Sequence, residues 1–385
     1  MPRRVFITAA EASGDQHASE LARSLRELDP TIQIEGIGGA KMAAAGVQIH
    51  HETVGRAAMG WRGVLRAVEV SRWMKWTRQH YARHKPDLHI CVDSSAMNLP
   101  FAKLARRFGI PVLYYIAPQL WASREGRMKK LRHDVNRVAC IFPFEESYFR
   151  SHGVNATFVG HPLFDALPAD RGLRAVVHRG LADRTPVIGL IPGSRRSEIK
   201  GNLPHLLEVV HHIRKPFPQA RFLIPTTDAT HALVTEIAAQ ERVTIEHNGF
   251  DRVVPQCDLC LVKSGTSTVH VAAFNVPMIV VYRVNPILWH GIARWLIKTP
   301  KLAMVNILAG YRDVVPEFIP WYGSDVTVAN CAMDLLEHPE KLEAQRRDLK
   351  QVIATIDHPG ASRNAARMAL EMISSSPGTP NHPPS

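Results

Sequence analysis

The chain has 385 residues, 45% of them hydrophobic and 21% charged, which is enough for two or three domains and excludes global disorder. Lysine and arginine number 47 against 35 acids, a formal charge of +12 with 20 histidines besides. That balance points to an anionic partner: nucleic acid, a phosphorylated substrate or an acidic membrane surface. The apolar run 276–282 falls far short of the roughly 18 residues a membrane span needs, and no apolar leader follows Met1-Pro2-Arg3-Arg4. Neither export nor membrane spanning is therefore expected.

Residues 5–8 read as a strand and 14–28 as a helix; 32–37, 87–92 and 111–116 read as further strands, with a helix over 98–108. The polar stretch 165–184 reads as a hinge. A second series opens with a strand at 187–191, a Pro-Gly turn and a helix over 203–213. Strands at 220–224, 243–245, 258–262 and 278–282 continue it, and from 326 the pattern is helical to about 374. Strands alternating with helices predict an α/β protein: two doubly wound Rossmann-like domains facing a central cleft, with a helical C-terminal segment. The expected boundaries are 1–170 and 171–350, then a helix over 351–374 packing back toward the first domain, and a disordered Pro-rich tail over 375–385. Five cysteines, an odd count without a disulfide framework, fit a reducing cytoplasm, and Cys257-Asp-Leu-Cys260 reads as a buried strand start.

Ligands of such sheets bind beyond the carboxyl ends of the strands, so the motifs there carry the chemistry. The first strand runs into Ala9-Ala-Glu-Ala-Ser-Gly-Asp15. Glu11 stands at the strand end, and Ser13 and Gly14 let a backbone turn and a helix N-terminus approach an anion; the competing reading is a plain N-cap by Ser13 or Asp15. Asp93 closes the strand before Ser94, Ser95 and Asn98, placed either to take a proton from an acceptor hydroxyl or to cap the next helix. Pro192-Gly-Ser-Arg-Arg-Ser-Glu198 sets Gly193, Ser194, Arg195 and Arg196 at a strand–helix turn, a pattern suited to a diphosphate unless it is a solvated charged turn. Lys263-Ser264-Gly265-Thr266 is a second such turn without NTPase-loop spacing. Two basic stretches carry tryptophan: one with Trp61, Arg62, Trp73 and Trp76, the other with Trp289 and Trp295. They suit anionic headgroups, or are surface helices with a buried stripe. No His/Cys/Asp set shows metal-ligand spacing, so neither metal nor cofactor is expected.

Together these blocks resemble the lipid-A-disaccharide synthase family. The resemblance rests on Glu11-Ala-Ser-Gly-Asp15, Ile37-Gly-Gly-Ala-Lys-Met42, Met59-Gly60, the segment 93–98 and residues 118–127 (PQLWASREGR). Ile141-Phe-Pro-Phe-Glu145, Phe158-Val-Gly-His-Pro162, residues 192–198 (PGSRRSE), Ser264-Gly-Thr266, Val276-Pro-Met278, Tyr282-Arg283 and Asn306-Ile-Leu-Ala-Gly310 follow in the same order. It implies a GT-B type, inverting, metal-independent glycosyltransferase, cytoplasmic and peripheral to the inner membrane. The implied reaction condenses UDP-2,3-diacylglucosamine with 2,3-diacylglucosamine 1-phosphate, giving a disaccharide 1-phosphate and UDP. Carried over, Asp93 matches the general base, Glu11 the acid of the first loop, Arg195 the arginine near the UDP diphosphate and Asn306 a polar substrate-site residue. The first domain would take the acceptor and face the membrane, and the second would bind the UDP-sugar. The sequence departs from the family pattern at Ala10 for Gly, at Ala96 for a second acid, at His270 for the Glu that holds the nucleotide ribose, and at Lys263, an added cation. A related enzyme with another UDP-sugar or lipid acceptor, and a non-catalytic lipid-binding descendant, are the alternative readings. A homodimer is allowed and nucleic acid is not expected as a partner.

Overall fold

A computed structural model of the chain describes residues 2–53, 64–121, 125–168, 171, 185–283 and 299–375. The chain divides into two compact units, Met1–Ala166 with Ile356–Ser385, and Leu167–Thr355.

The first unit is built on seven strands: β1 (Arg4–Ala9), β2 (Gln33–Gly38), β3 (Gln48–Glu52), β4 (Leu88–Val92), β5 (Val112–Tyr115), β6 (Arg137–Cys140) and β7 (Ala156–Phe158). They form one parallel sheet in the order β3-β2-β1-β4-β5-β6-β7. The central strands β1, β4 and β5 are almost wholly buried, which is why their sequences are mainly apolar rather than alternating, with Thr8 and His89 as buried polar exceptions. The order reverses between β1 and β4, and Ala9 pairs with Val92 there, so the loops after both strands leave the sheet side by side.

The helix Ala12–Leu28 buries Ala18, Leu21, Ala22 and Leu25, a stripe at helical spacing, and packs on the last helix, Ala361–Ser375. That helix answers with buried Ala365, Ala366 and Ala369. Its N-terminus is closed by Asp165, whose carboxylate accepts the N–H groups of Gly360, Ala361 and Ser362 at 2.6, 3.0 and 3.0 Å. The turn beneath needs Gly160, which has φ +103°; a Cβ there would stand 2.7 Å from the His358 carbonyl oxygen. The motif Phe158-Val-Gly-His-Pro162 thus docks the chain's end onto the first unit.

The second unit repeats the plan with β8 (Val187–Ile191), β9 (Arg221–Thr226), β10 (Thr244–His247), β11 (Leu259–Lys263), β12 (Met278–Val281) and β13 (Glu317–Phe318). They lie parallel in the order β10-β9-β8-β11-β12-β13. Ile191 pairs with Val262, so the loops at 192–198 and 263–268 also emerge together. Both Cys257 and Cys260 are buried as free thiols against Gly189, where a Cβ would meet their Sγ atoms at 3.0 and 2.7 Å. Burial, followed by the neighbouring Cys257, pushes the Cys260 thiol well above its ordinary value.

Several elements begin earlier than sequence periodicity indicates. The helix after β4 starts at Ser95 and the one after β8 at Arg196, because both motifs form the first helical turn rather than precede it. Strands β3, β7 and β13 carry too few apolar residues to announce themselves, and β6 is only four residues long.

Candidate active site

In the first unit the turn after β4 is the focus. Asp93 and Ser94 have φ +57° and +22°, a left-handed geometry that non-glycine residues adopt only when surrounding contacts hold them there. The holding groups are visible. The Tyr114 hydroxyl donates to the Asp93 carbonyl at 2.6 Å, and Asn98 Nδ2 donates to the carbonyls of Val92 and Asp93 at 2.8 and 2.9 Å. Asn98 Oδ1 in turn accepts the Thr8 hydroxyl at 2.7 Å, and Thr8 Oγ1 lies 3.0 Å from His89 Nε2. His89 Nδ1 is 2.5 Å from the Tyr81 hydroxyl. Since the Thr8 proton goes to Asn98, His89 must donate from Nε2 and accept at Nδ1, so it is the neutral Nε2–H tautomer. All donors then run one way, from Tyr81 through His89, Thr8 and Asn98 to the Asp93 turn. Burial lowers the His89 pKa to about 3, consistent with that neutral ring.

The turn leaves the Asp93 side chain part-exposed, with the Ser13 hydroxyl donating to its Oδ2 at 3.1 Å. Gly14 sits under it; a Cβ there would stand 3.7 Å from the Asp93 Cβ, an ordinary contact, so space alone would admit a small side chain. Glu11 is the N-cap residue of the helix Ala12–Leu28, and its side chain makes no capping hydrogen bond. Neither Ser13 nor Asp15 caps that helix. Asp15 is buried and turned inward, where it accepts the N–H groups of Gly39 and Met42 on Oδ1 at 2.9 and 3.1 Å and of Lys41 on Oδ2 at 3.0 Å. It thereby binds the Ile37–Met42 motif to the Glu11–Asp15 motif as scaffold.

Two further groups flank this end of the sheet. Arg127 Nη1 donates to the Ser95 hydroxyl at 2.6 Å. Glu145, buried just beyond β6, accepts from Trp121 Nε1 at 3.1 Å and from the Phe142 and Ile141 N–H groups at 3.2 and 3.3 Å. Burial outweighs these hydrogen bonds and pushes its pKa up to about 7.

In the second unit, Gly193 has φ +126°, and a Cβ there would strike Glu198 Oε2 at 2.6 Å. The Glu198 carboxylate folds back to accept the N–H groups of Ser194 and Arg195 at 3.0 and 3.2 Å. It also pairs with Arg195 Nη1 at 3.2 Å and Lys263 Nζ at 3.0 Å. Burial raises its pKa, but Lys263 and these N–H groups more than offset that, and the net shift is downward. The helix N-terminus expected to meet a diphosphate is therefore partly filled by the chain's own anion. Arg195 is committed to Glu198, while Arg196 is exposed and makes no ion pair among the described residues. The sequence gives Arg195 the leading role; the geometry leaves Arg196 the freer guanidinium.

Across the switch point, Lys263 Nζ also lies 4.8 Å over the Tyr282 ring. Gly265 opens the helix Thr266–Ala273 at φ +154°. The Ser264 hydroxyl donates to the Leu302 carbonyl at 2.9 Å, and Thr266 is exposed at the helix start. His270 stacks on Phe250 at 4.2 Å, and its Nε2 is 2.8 Å from Asp251 Oδ1, a close charge contact without good hydrogen-bond alignment. The close approach of His270 and its charge, set against burial, hold the Asp251 carboxyl below the usual range. A carboxylate thus stands beside the histidine that replaces one.

Two sequence expectations are corrected. Asn306 is fully buried and donates to the Val315 carbonyl and Glu317 while accepting the N–H groups of Val314 and Val315, so its amide is committed to the chain rather than offered to substrate. Trp73 and Trp76 do not face outward. They pack on the first unit's core, with Trp76 stacked on His80 at 4.8 Å, because the aromatic stripe is the helix's inner face and Arg72, Lys75 and Arg78 its outer one. Trp61, Arg62, Met59, Gly60, Trp289 and Trp295 lie outside the described residues.

Solved structures with this fold include the UDP-N-acetylglucosamine 2-epimerase of Neisseria meningitidis bound to UDP-GlcNAc, at TM-score 0.61 and 14% identity over 97% of this chain and 99% of that one. MurG of Acinetobacter baumannii aligns at TM-score 0.57 and 16% identity over 96% and 100%. Such likeness defines the fold alone: two Rossmann-like parallel sheets of the GT-B class. Sequence goes further. Residues 5–372 match the Lipid-A-disaccharide synthetase family. The lipid-A-disaccharide synthase of Geobacter sulfurreducens is 37% identical over 376 residues, 96% of this chain and 97% of that protein. The Myxococcus xanthus enzyme of the same name is 32% identical over 97% and 98%. The chain belongs to the lipid-A-disaccharide synthase family.

Proposed function

We propose that the chain transfers a 2,3-diacylglucosaminyl group from UDP to the 6-hydroxyl of 2,3-diacylglucosamine 1-phosphate, with inversion, releasing UDP and a lipid A disaccharide 1-phosphate. Asp93 takes the proton of the attacking hydroxyl, and Ser13 orients its carboxylate. The UDP diphosphate binds at Gly193, Ser194, Arg195 and Arg196, and at the turn Lys263-Ser264-Gly265-Thr266. Charge that builds on the leaving group is met there by the guanidinium groups and the helix N-terminus. Displacement of Glu198 by the diphosphate frees the N–H groups of Ser194 and Arg195 and leaves Lys263 to the phosphate. His270 with Asp251 serves the nucleotide's sugar hydroxyls. Glu11, the N-cap of the helix whose first turn carries Ser13, borders the acceptor.

The observation that carries this reading is Asp93 itself: a carboxylate at the switch point, held in a strained turn by five buried residues. Backbone strain maintained by so much surrounding structure supports a functional role. Among the described residues no helix is long and apolar enough to cross a membrane. Exposed Arg72, Lys75 and Arg78 support peripheral attachment to the anionic cytoplasmic face of the inner membrane, where both lipid substrates reside. A homodimer is compatible with this reading.

The test is UDP release by the purified chain from a panel of UDP-sugars with the diacylglucosamine 1-phosphate acceptor. Turnover of the diacylated donor alone supports the proposal. Turnover of a different UDP-sugar in its place would favour the related enzyme to which His270 and Lys263 point.

A further inference from the structure

Glu35, His50 and His80 come from β2, β3 and the helix Val64–Arg83, yet their donor atoms all lie within 4.8 Å of one another. The sequence spacing gives no sign of this. Both imidazoles approach one carboxylate through Nε2: His50 is 2.9 Å from Glu35 Oε2 and His80 is 2.8 Å from Oε1. From this convergence we infer that Glu35, His50 and His80 form a site for a divalent transition-metal ion of the zinc class.

Four observations support it. The register of β3 against β2 slips at this point: Gly36 pairs with Ile49 and Ile37 with His51, so His50 is the extra residue of a bulge on an edge strand. Bulges re-aim side chains, and this one turns His50 toward the helix. Trp76 stacks on His80 at 4.8 Å with planes 13° apart and packs on His50 at 4.6 Å, fixing both rings. The three side chains are 10–17% exposed, and they border an open cavity of about 630 Å³ that water can fill. Two imidazoles and a carboxylate are the donor set that zinc and its neighbours accept, with further positions left to water.

The distances agree with this use. Donors about 2.0–2.1 Å from a tetrahedral ion stand roughly 3.3 Å apart, so the two imidazole–carboxylate contacts open by about half an ångström while the wider donor separations, within 4.8 Å, draw in. Contacts of both Nε2 atoms with the Glu35 carboxylate bring the donors together at this point. The site lies toward the amino ends of β1–β3, where Arg4, Gln33 and Gln48 line the cavity, and not at the carboxyl ends beside Asp93. Its role is to clip an edge strand to the neighbouring helix, and it does not depend on the proposed reaction.

The test is zinc binding by the tag-free, chelator-stripped full chain, measured by competition with a chromophoric chelator. The inference predicts one tight equivalent of Zn²⁺ and a rise of several degrees in Tm. Both should be lost, with affinity down at least tenfold, in Glu35→Gln and His50→Gln proteins that keep the wild-type circular dichroism. With 20 histidines in the chain, undiminished binding in those variants would place the zinc elsewhere and overturn the inference, as would no binding at micromolar zinc. A readout free of variants is diethyl pyrocarbonate labelling with peptide mapping. Zinc should protect His50 and His80 and leave His17 unchanged, whereas equal labelling with and without zinc would refute the site.

Discussion

The chain of donors from Tyr81 to the Asp93 turn requires a neutral His89, and acid should break it. His89 is fully buried with its pKa lowered to about 3, whereas the ordinary value is 6.5. Below pH 6.5 the unfolded chain takes up a proton that the folded chain refuses, so stability is lost as pH falls toward 3. At pH 4.5, two units below the ordinary value, this one residue should destabilise the fold by about 2–3 kcal/mol relative to pH 7.5. Protonation also sets a second N–H at Nδ1 against the Tyr81 hydroxyl, which must turn away. The perturbation is His89→Gln, which keeps a donor toward Thr8 and cannot titrate. Its stability at pH 7.5 should fall by about 1–2 kcal/mol, because the Tyr81 contact is lost. Urea unfolding of both proteins at pH 7.5 and 4.5 reads the effect. The wild type should lose about 2–3 kcal/mol more than the variant over that interval. Equal losses would refute the neutral, buried assignment and with it the directional network.

Three further outcomes follow from the same geometry. Asp15→Ala strips the acceptor from the Gly39, Lys41 and Met42 N–H groups and should lower stability by about 3 kcal/mol or more, read as a urea midpoint. Gly160→Ala forces a Cβ to 2.7 Å from the His358 carbonyl at a left-handed φ. It should cost about 2 kcal/mol and expose the helix Ala361–Ser375 to limited proteolysis. Arg196→Ala should raise the donor KM about tenfold or more with a smaller change in kcat, since a charge-assisted contact to phosphate is worth about 1.5–3 kcal/mol. Steady-state UDP release measures it.

The central strands of both sheets were legible because burial on two faces writes them as apolar runs, as in Leu88-His-Ile-Cys-Val92. Edge strands were not: β3 is Gln-Ile-His-His-Glu, and β7 has only three residues. Asp93 and the loop at 193–196 were found from position alone, as polar residues where apolar strands end. What the sequence concealed was direction. Asp15 reads as a candidate cap, but its partners lie 24 to 27 residues onward. Arg195 reads as a phosphate ligand, and only the fold shows Glu198 turning back on it. Trp73 and Trp76 beside cations suit a membrane equally well as a core, because helical spacing does not say which face is buried. The His89 network did leave a signal: a histidine inside a buried strand must find hydrogen-bond partners.

The most direct measurement is UDP release from UDP-2,3-diacylglucosamine and 2,3-diacylglucosamine 1-phosphate by the wild type and by Asp93→Asn, with circular dichroism confirming that both are folded. The account predicts turnover by the wild type and a fall of about 10²- to 10⁴-fold in kcat for the variant, the range lost with a general base. A folded Asp93→Asn protein that turns over at the wild-type rate would contradict it.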